Sequence, residues 1–171
     1  MSKRTRFDPY ALFEALEGHR VSYVVIGGFA RVVHGSGELT RGLDIVPSLR
    51  EDSLRHLANA LEDLGAPRAP LEALQAAELA EDEPLTVPTS AGRLRVVPRP
   101  WGTRGYDDFR IRANRENLGH GLRPQIASTI DLIRMLEAST RARDFERLQR
   151  LRRMMEIERV RTRRRGLYIE R

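Results

Sequence analysis

Behind Asp8-Pro9, the apolar residues Leu12, Phe13 and Leu16 share one face of a helix that Gly18 ends; Asp8 suits its cap and Pro9 its first turn. Val21–Ile26 is a near-continuous apolar run of strand length, followed by Gly27-Gly28 and a short helix over Phe29–His34. Leu43–Pro47 reads as a second strand, closed by its proline. In Glu51–Leu64, Leu54, Leu57, Ala58, Leu61 and Leu64 recur at helical spacing, and Gly65 follows. Residues 66–84, rich in Ala, Glu and Pro, are expected to hold a short helix and a loop.

Leu85–Pro88 and Arg93–Val97 flank Thr89-Ser90-Ala91-Gly92, a hairpin pattern. Pro98–Gly105 reads as a rigid exposed loop, and Phe109-Arg110-Ile111-Arg112 alternates as an edge strand would. Leu122–Ala127 is a candidate for one more short strand. Ser128 and Asp131 stand at capping-box spacing ahead of a helix over Thr129–Ala138. A further helix from about Asp144, with Phe145, Leu148, Leu151 and Met155 as core or dimer interface, is expected to fade into Arg161–Arg165. No internal repeat is found. Strands alternating with helices, then a hairpin, then helices predict an α+β or α/β domain with a mixed sheet.

At 171 residues, 40% hydrophobic and 32% charged, the chain suits one soluble globular domain, or one such domain with an appendage. It has no cysteine, so no disulfide framework and no thiolate metal site, and a cytoplasmic protein is the simplest expectation. No apolar run approaches a membrane span, and the basic start leads into no signal-peptide core. Charge changes the picture more than composition does. Of the net +6, residues 141–171 carry 12 Arg against 5 acids, while residues 1–140 are almost balanced. Such asymmetry points to a polyanionic partner, RNA or DNA first, or else to a solvated helix in an Arg-rich chain.

Strand, Gly-Gly, short helix, His34-Gly35-Ser36 loop, then a strand bearing Asp44 is an order that resembles the nucleotidyltransferase superfamily, in particular its AbiEii and MenT-like toxin branch. The likeness spans roughly residues 21–155. It continues through Ala91–Pro98 and Gly102–Phe109, through Ile126–Leu136, and through Arg141-Ala142-Arg143-Asp144, which looks like the family's Arg-Pro-Lys-Asp. The resemblance implies a nucleotidyltransferase-like α+β fold, a mixed sheet with flanking helices over residues 1–128, C-terminal helices over 129–165 and a basic tail over 159–171. It also implies two carboxylates two residues apart on the second strand, a third on a neighbouring strand, and a lysine in the later helix. This chain has Gly42 and Asp44, Arg95 and Leu136 at those places.

Two-metal nucleotidyl transfer needs carboxylates that clamp Mg²⁺ on a triphosphate. Residues i and i+2 of a strand share a face, so Gly42 and Asp44 would form the clamp, and only Asp44 can ligate. A guanidinium at 95 stays charged and opposes a cation there, so Arg95 is expected to lie beside Asp44 and pair with it. Asp44 and Asp144 are the catalytic remnants that the resemblance implies. Gly27 and Gly28 either let a phosphate approach a helix N-terminus or only make a tight turn. Ser36, Arg41, Arg95 and Arg143 are candidate phosphate-binding residues. Trp101 and Tyr106, among Arg99, Arg104 and Arg110, could stack on bases or pack on the sheet. Arg152, Arg153, Arg159, Arg161, Arg163, Arg164 and Arg165 are, with Trp101 and Arg104, candidates for nucleic-acid contact. His34 lacks a partner at ligand spacing, and no metal site is assigned.

The resulting expectation is a catalytically degenerate nucleotidyltransferase-fold protein, a pseudoenzyme related to toxin–antitoxin systems, acting by binding RNA or DNA without a cofactor. One alternative is an active Mg²⁺- and nucleoside-triphosphate-dependent enzyme modifying tRNA, with Glu38, Asp107 or Asp108 as a relocated carboxylate. Another is a protein-interaction module whose partner is an antitoxin or toxin.

Overall fold

The computed structural model describes residues 5–169. Among the described residues there are seven helices and six strands: α1 Pro9–Gly18, β1 Tyr23–Ile26, α2 Gly27–Val33, β2 Gly42–Pro47, α3 Glu51–Asp63, α4 Arg68–Gln75, β3 Leu85–Thr89, β4 Gly92–Val96, α5 Tyr106–Arg110, β5 Asn114–Arg115, β6 Gln125–Ile126, α6 Thr129–Glu137 and α7 Ala142–Ile169. The strands form one mixed open sheet in the order β3-β4-β2-β1-β6-β5. β1 runs antiparallel to β2 and parallel to β6, and β2 runs parallel to β4. The mixed α+β architecture expected from the hydrophobic pattern is therefore present. No helix among the described residues is long and apolar enough to cross a membrane.

The central strands explain their own composition. Tyr23, Val24, Val25 and Ile26 are all buried, and every residue of β2 except Asp44 is buried too, so both faces of these strands are covered. β3 lies at the edge and alternates between exposed and buried positions. The core joins Leu12, Phe13 and Leu16 of α1 to Leu54, Leu57 and Leu61 of α3 and to the buried strand residues. Asp8 accepts a hydrogen bond from the Ala11 N–H at the start of α1. Ser128 caps α6, the Asp131 N–H donating to Ser128 Oγ, and that hydroxyl donates in turn to the Asp131 carboxylate, which meets the hydroxyl in place of the backbone N–H of a capping box.

Two expectations are corrected. Residues 109–112 are not an edge strand: Phe109 and Arg110 complete α5, and Phe109 is wholly buried. Period-two alternation over four residues is too short to outweigh the helix start at Gly105-Tyr106-Asp107-Asp108, where Asp108 accepts from the Arg104 N–H. The edge strand is instead β5. The last helix does not fade at Arg161; α7 continues to Ile169 as one helix, its arginines being good helix formers with no Pro to stop them. Residues 1–4 and 170–171, at the ends of the expected core and basic tail, lie outside the described residues.

Within α7, Leu148 and Leu151 are buried and Met154 reaches Gly35, but Phe145 is exposed, so the stripe expected from Phe145 to Met155 is core only in part. From Glu156 to Arg165 every residue is exposed. Truncating Leu57 in the α3 face to Ala should cost about 2–5 kcal/mol, through lost burial and the cavity left behind. A lower urea midpoint at unchanged m-value checks this.

Candidate functional site

The site is built where β2 lies between β1 and β4. Register pairs Asp44 with Ile26 on one side and with Arg95 on the other, and Gly42 with Arg93. Residues 42 and 44, and 93 and 95, therefore project from one face of the sheet. Arg95 Nη1 lies 3.6 Å from Asp44 Oδ2, the contact that the sequence predicts. Arg93 fills the other place. A Cβ added at Gly42 would stand 2.9 Å from the Arg93 carbonyl oxygen and 3.3 Å from its Nε. The space above residue 42 is thus occupied by Arg93, and a side chain there would press on the backbone of β4.

Gly27 closes the site from the start of α2, just beyond β1. It has φ +69°, and a Cβ on it would come within 2.6 Å of Asp44 Oδ2. Glycine is needed here both for the backbone conformation and for the approach of the carboxylate. Gly28 is close to the Glu38 carboxylate, which Arg31 clasps with two hydrogen bonds of 3.0 and 2.9 Å. Ser36 Oγ donates a third, 2.9 Å long. Ser36 therefore orders Glu38 and does not line the cleft.

These residues open into a cleft of about 390 Å³. Its walls bring together Gly27, Gly28, Arg41, Asp44, Arg95, Trp101, Arg143 and Asp144 from the sequence candidates, along with Leu136. They add residues that the sequence did not mark: Arg31, Arg93 and Arg147, and Glu81 and Asp82 from the loop before β3. The one available signal for Arg93 was its alternation with Arg95 on the same strand. Eight arginines face five carboxylates in the lining. Ion pairs join Arg31 to Glu38, Arg95 to Asp44, Arg99 to Glu81 and Arg147 to Asp144. Arg41, Arg93, Arg141 and Arg143 make no such pair among the described residues.

The two candidate catalytic carboxylates differ in environment. Burial pushes the Asp44 carboxyl above its ordinary range, against the pull of Arg95, Arg93 and Arg31. Asp144 is also penalised by burial, but the Ser139 hydroxyl and Arg147 hold it below the ordinary range. Glu38 behaves like Asp144: burial raises it, and Arg31 and Ser36 together bring it lower. Mg²⁺ does not fit this arrangement. Asp44 is the one carboxylate on its strand face, flanked by two guanidinium groups that a divalent cation would have to displace. Among the described residues no three acidic, His or Cys side chains converge as a metal cage would require.

Other candidates lie elsewhere. Asp108 is engaged by Arg134 and the Arg104 N–H, and Asp107 pairs with Arg110, so neither lines the cleft. Tyr106 packs against the core. Arg104 is exposed but outside the cleft, and His34 Nε2 sits 2.7 Å from the Ala127 carbonyl oxygen. Arg152 pairs with Glu137 and ties α7 to α6. Arg159 and Arg163 line a different cleft, with Asn114, Glu116 and Ile130. Arg161 and Arg165 follow Arg143 and Arg147 by eighteen residues each, about five turns, and so share their face of α7. Arg153 and Arg164 point along a third direction. The basic run is three stripes, not one.

Removing Arg95 (Arg95→Met) should raise the Asp44 carboxyl further, because burial then acts with less opposition. Both side chains keep some solvent contact, so the loss of stability near neutral pH should be modest, about 1–3 kcal/mol. Carbon-detected NMR titration of Asp44 checks the first part; an unmoved titration would show that Arg95 does not act on it. A raised acid binds protons more tightly when folded, so the contribution of Asp44 declines as pH rises from the ordinary carboxylate range through its raised value. Glu38 has the opposite sign: its stabilisation is present above that range and is lost as pH falls through its lowered value. Glu38→Gln should thus flatten the loss of stability below about pH 4, read from urea unfolding across pH. No protein-family model matches the chain, and no curated protein matches it significantly in sequence.

Proposed function

We propose that the protein is a catalytically degenerate relative of the AbiEii/MenT-like nucleotidyltransferases, and that it acts by binding nucleic acid. The observation that carries this reading is the pairing of Asp44 with Arg95 across β2 and β4, with Arg93 over Gly42. The places where the resemblance asks for a second and third carboxylate hold guanidinium groups and a glycine whose side-chain space is already filled. What remains is a cleft with an excess of arginine, suited to phosphate oxygens without a metal intermediary. The exposed outer half of α7, with Arg161 and Arg165 in line with Arg143 and Arg147, extends that positive surface away from the cleft.

The enzyme alternative needs a relocated carboxylate, but Glu38, Asp107 and Asp108 are each held by an arginine. The protein-docking alternative has one observation in its favour: Ile157 and Val160 are exposed one turn apart on α7. They are interspersed with charged residues and form only a small apolar patch.

With tRNA, Mg²⁺ and each labelled nucleoside triphosphate, incorporation should not exceed that of Asp44→Ala. Incorporation abolished by that change would sink the pseudoenzyme reading. Binding should be driven by counterion release. If about four phosphates are neutralised, log affinity against log salt should fall with a slope near −3 to −4. Truncation after Glu158 should flatten the slope and leave the thermal midpoint nearly unchanged, since residues 156–165 are all exposed. Absence of salt-dependent binding to both RNA and DNA would overturn the nucleic-acid reading.

A further inference from the structure

Trp101 is the only tryptophan of the chain, and it stands 51% exposed at the rim of the cleft. A large aromatic body left half in water beside a charged cleft forgoes much of its burial energy. It is held rigidly nonetheless. The Thr103 N–H and hydroxyl both donate to the Pro100 carbonyl oxygen, at 3.1 and 2.7 Å. Gly102 is pressed so closely on the end of α6 that a Cβ there would meet Ala138 at 2.8 Å. The guanidinium of Arg141 lies over the indole, 5.0 Å from the ring centroid, and itself forms no ion pair among the described residues. Arg41, Arg93 and Arg143, equally without ion pairs there, come from the loop before β2, from β4 and from the first turn of α7.

We infer that Trp101 is a base-stacking platform and that the cleft takes single-stranded nucleic acid, with one base against the indole and the neighbouring phosphates on Arg41, Arg93 and Arg143. This rests on the nucleic-acid reading above and names the form of the ligand. Stacking on a rigid aromatic needs a base freed from its own helix, which a single strand supplies and a duplex does not. The cleft, about 390 Å³, is near the lower end of small-ligand pockets and has room for a nucleotide or two, not a double helix. Arg141 shields the ring in the free protein, and a planar base takes its place or stacks outside it. Free arginines on three separate elements suit successive phosphodiesters of a strand better than the compact charge of a lone triphosphate.

The sole tryptophan makes the test direct. Intrinsic fluorescence and the anisotropy of a labelled ligand are followed with an oligouridine or oligothymidine decamer, a duplex decamer, adenosine triphosphate and tripolyphosphate. The single strand should quench Trp101 and bind at least about tenfold more tightly than the other three. Trp101→Ala should weaken the single strand by roughly 5- to 150-fold at an unchanged salt slope, and Trp101→Phe should restore most of the loss. Arg143→Ala should flatten the salt slope by about one while quenching persists at saturation. Equal affinity of wild type and Trp101→Ala, an unchanged fluorescence at saturation, or equally tight binding of duplex or triphosphate would overturn the inference while leaving the broader reading standing. Anisotropy showing no binding of any nucleic acid would remove both.

Discussion

The parallel pairing of β2 with β4, in the register that sets Gly42 against Arg93 and Asp44 against Arg95, governs what this protein can do. Backbone hydrogen bonds fix the alignment, and the pleat then obliges all four residues to share a face. A slip of β4 by one residue would turn both guanidinium groups into the core beside Leu43 and Ile45 and turn the buried Leu94 and Val96 out of it. The buried residues that alternate with them therefore lock the charged residues in place. Gly27 adds a second constraint, since its backbone approaches Asp44 too closely for any side chain. Asp44 is thus hemmed in by the glycine that opens α2 and by the arginines of β4.

Around this centre, carboxylates and guanidinium groups are matched one by one until the arginines run in excess. Glu38, Asp44, Glu81 and Asp144 each neutralise a cation in the cleft. Apart from the largely buried Arg31–Glu38 pair, these partly exposed pairs add little net stability; their consequence is orientation, because each fixes a long side chain that would otherwise wander. Asp82 is the one lining carboxylate left to offset the four remaining arginines, so the cleft stays positive on balance. The charge asymmetry of the sequence is resolved the same way: part of it enters the cleft through Arg143 and Arg147, part ties α7 to α6 through Arg152, and the remainder is spread around an exposed helix.

The sequence by itself determined the order of elements, because buried strands, amphipathic helices and the hairpin are written in local periodicity: Val21–Ile26, Leu54 to Leu61, and Leu85 to Val97 needed no tertiary information. It also marked Asp44 and Arg95 as a pair, since strand alternation and the resemblance together limit where they can point. Phe109–Arg112 misled because four alternating residues fit a strand and a short helix alike, and burial of Phe109 against the sheet settled it. Only the tertiary structure decided that Arg93 occupies the space above Gly42, that Ser36 serves Glu38 and not a ligand, and that Arg141 covers Trp101. It alone showed that α7 runs on through the C-terminal arginines, and helical periodicity then divides them among three faces. The contacts of Arg93 with Gly42 and of Arg141 with Trp101 join residues far apart in the chain, and neither periodicity nor charge counting carries that distance.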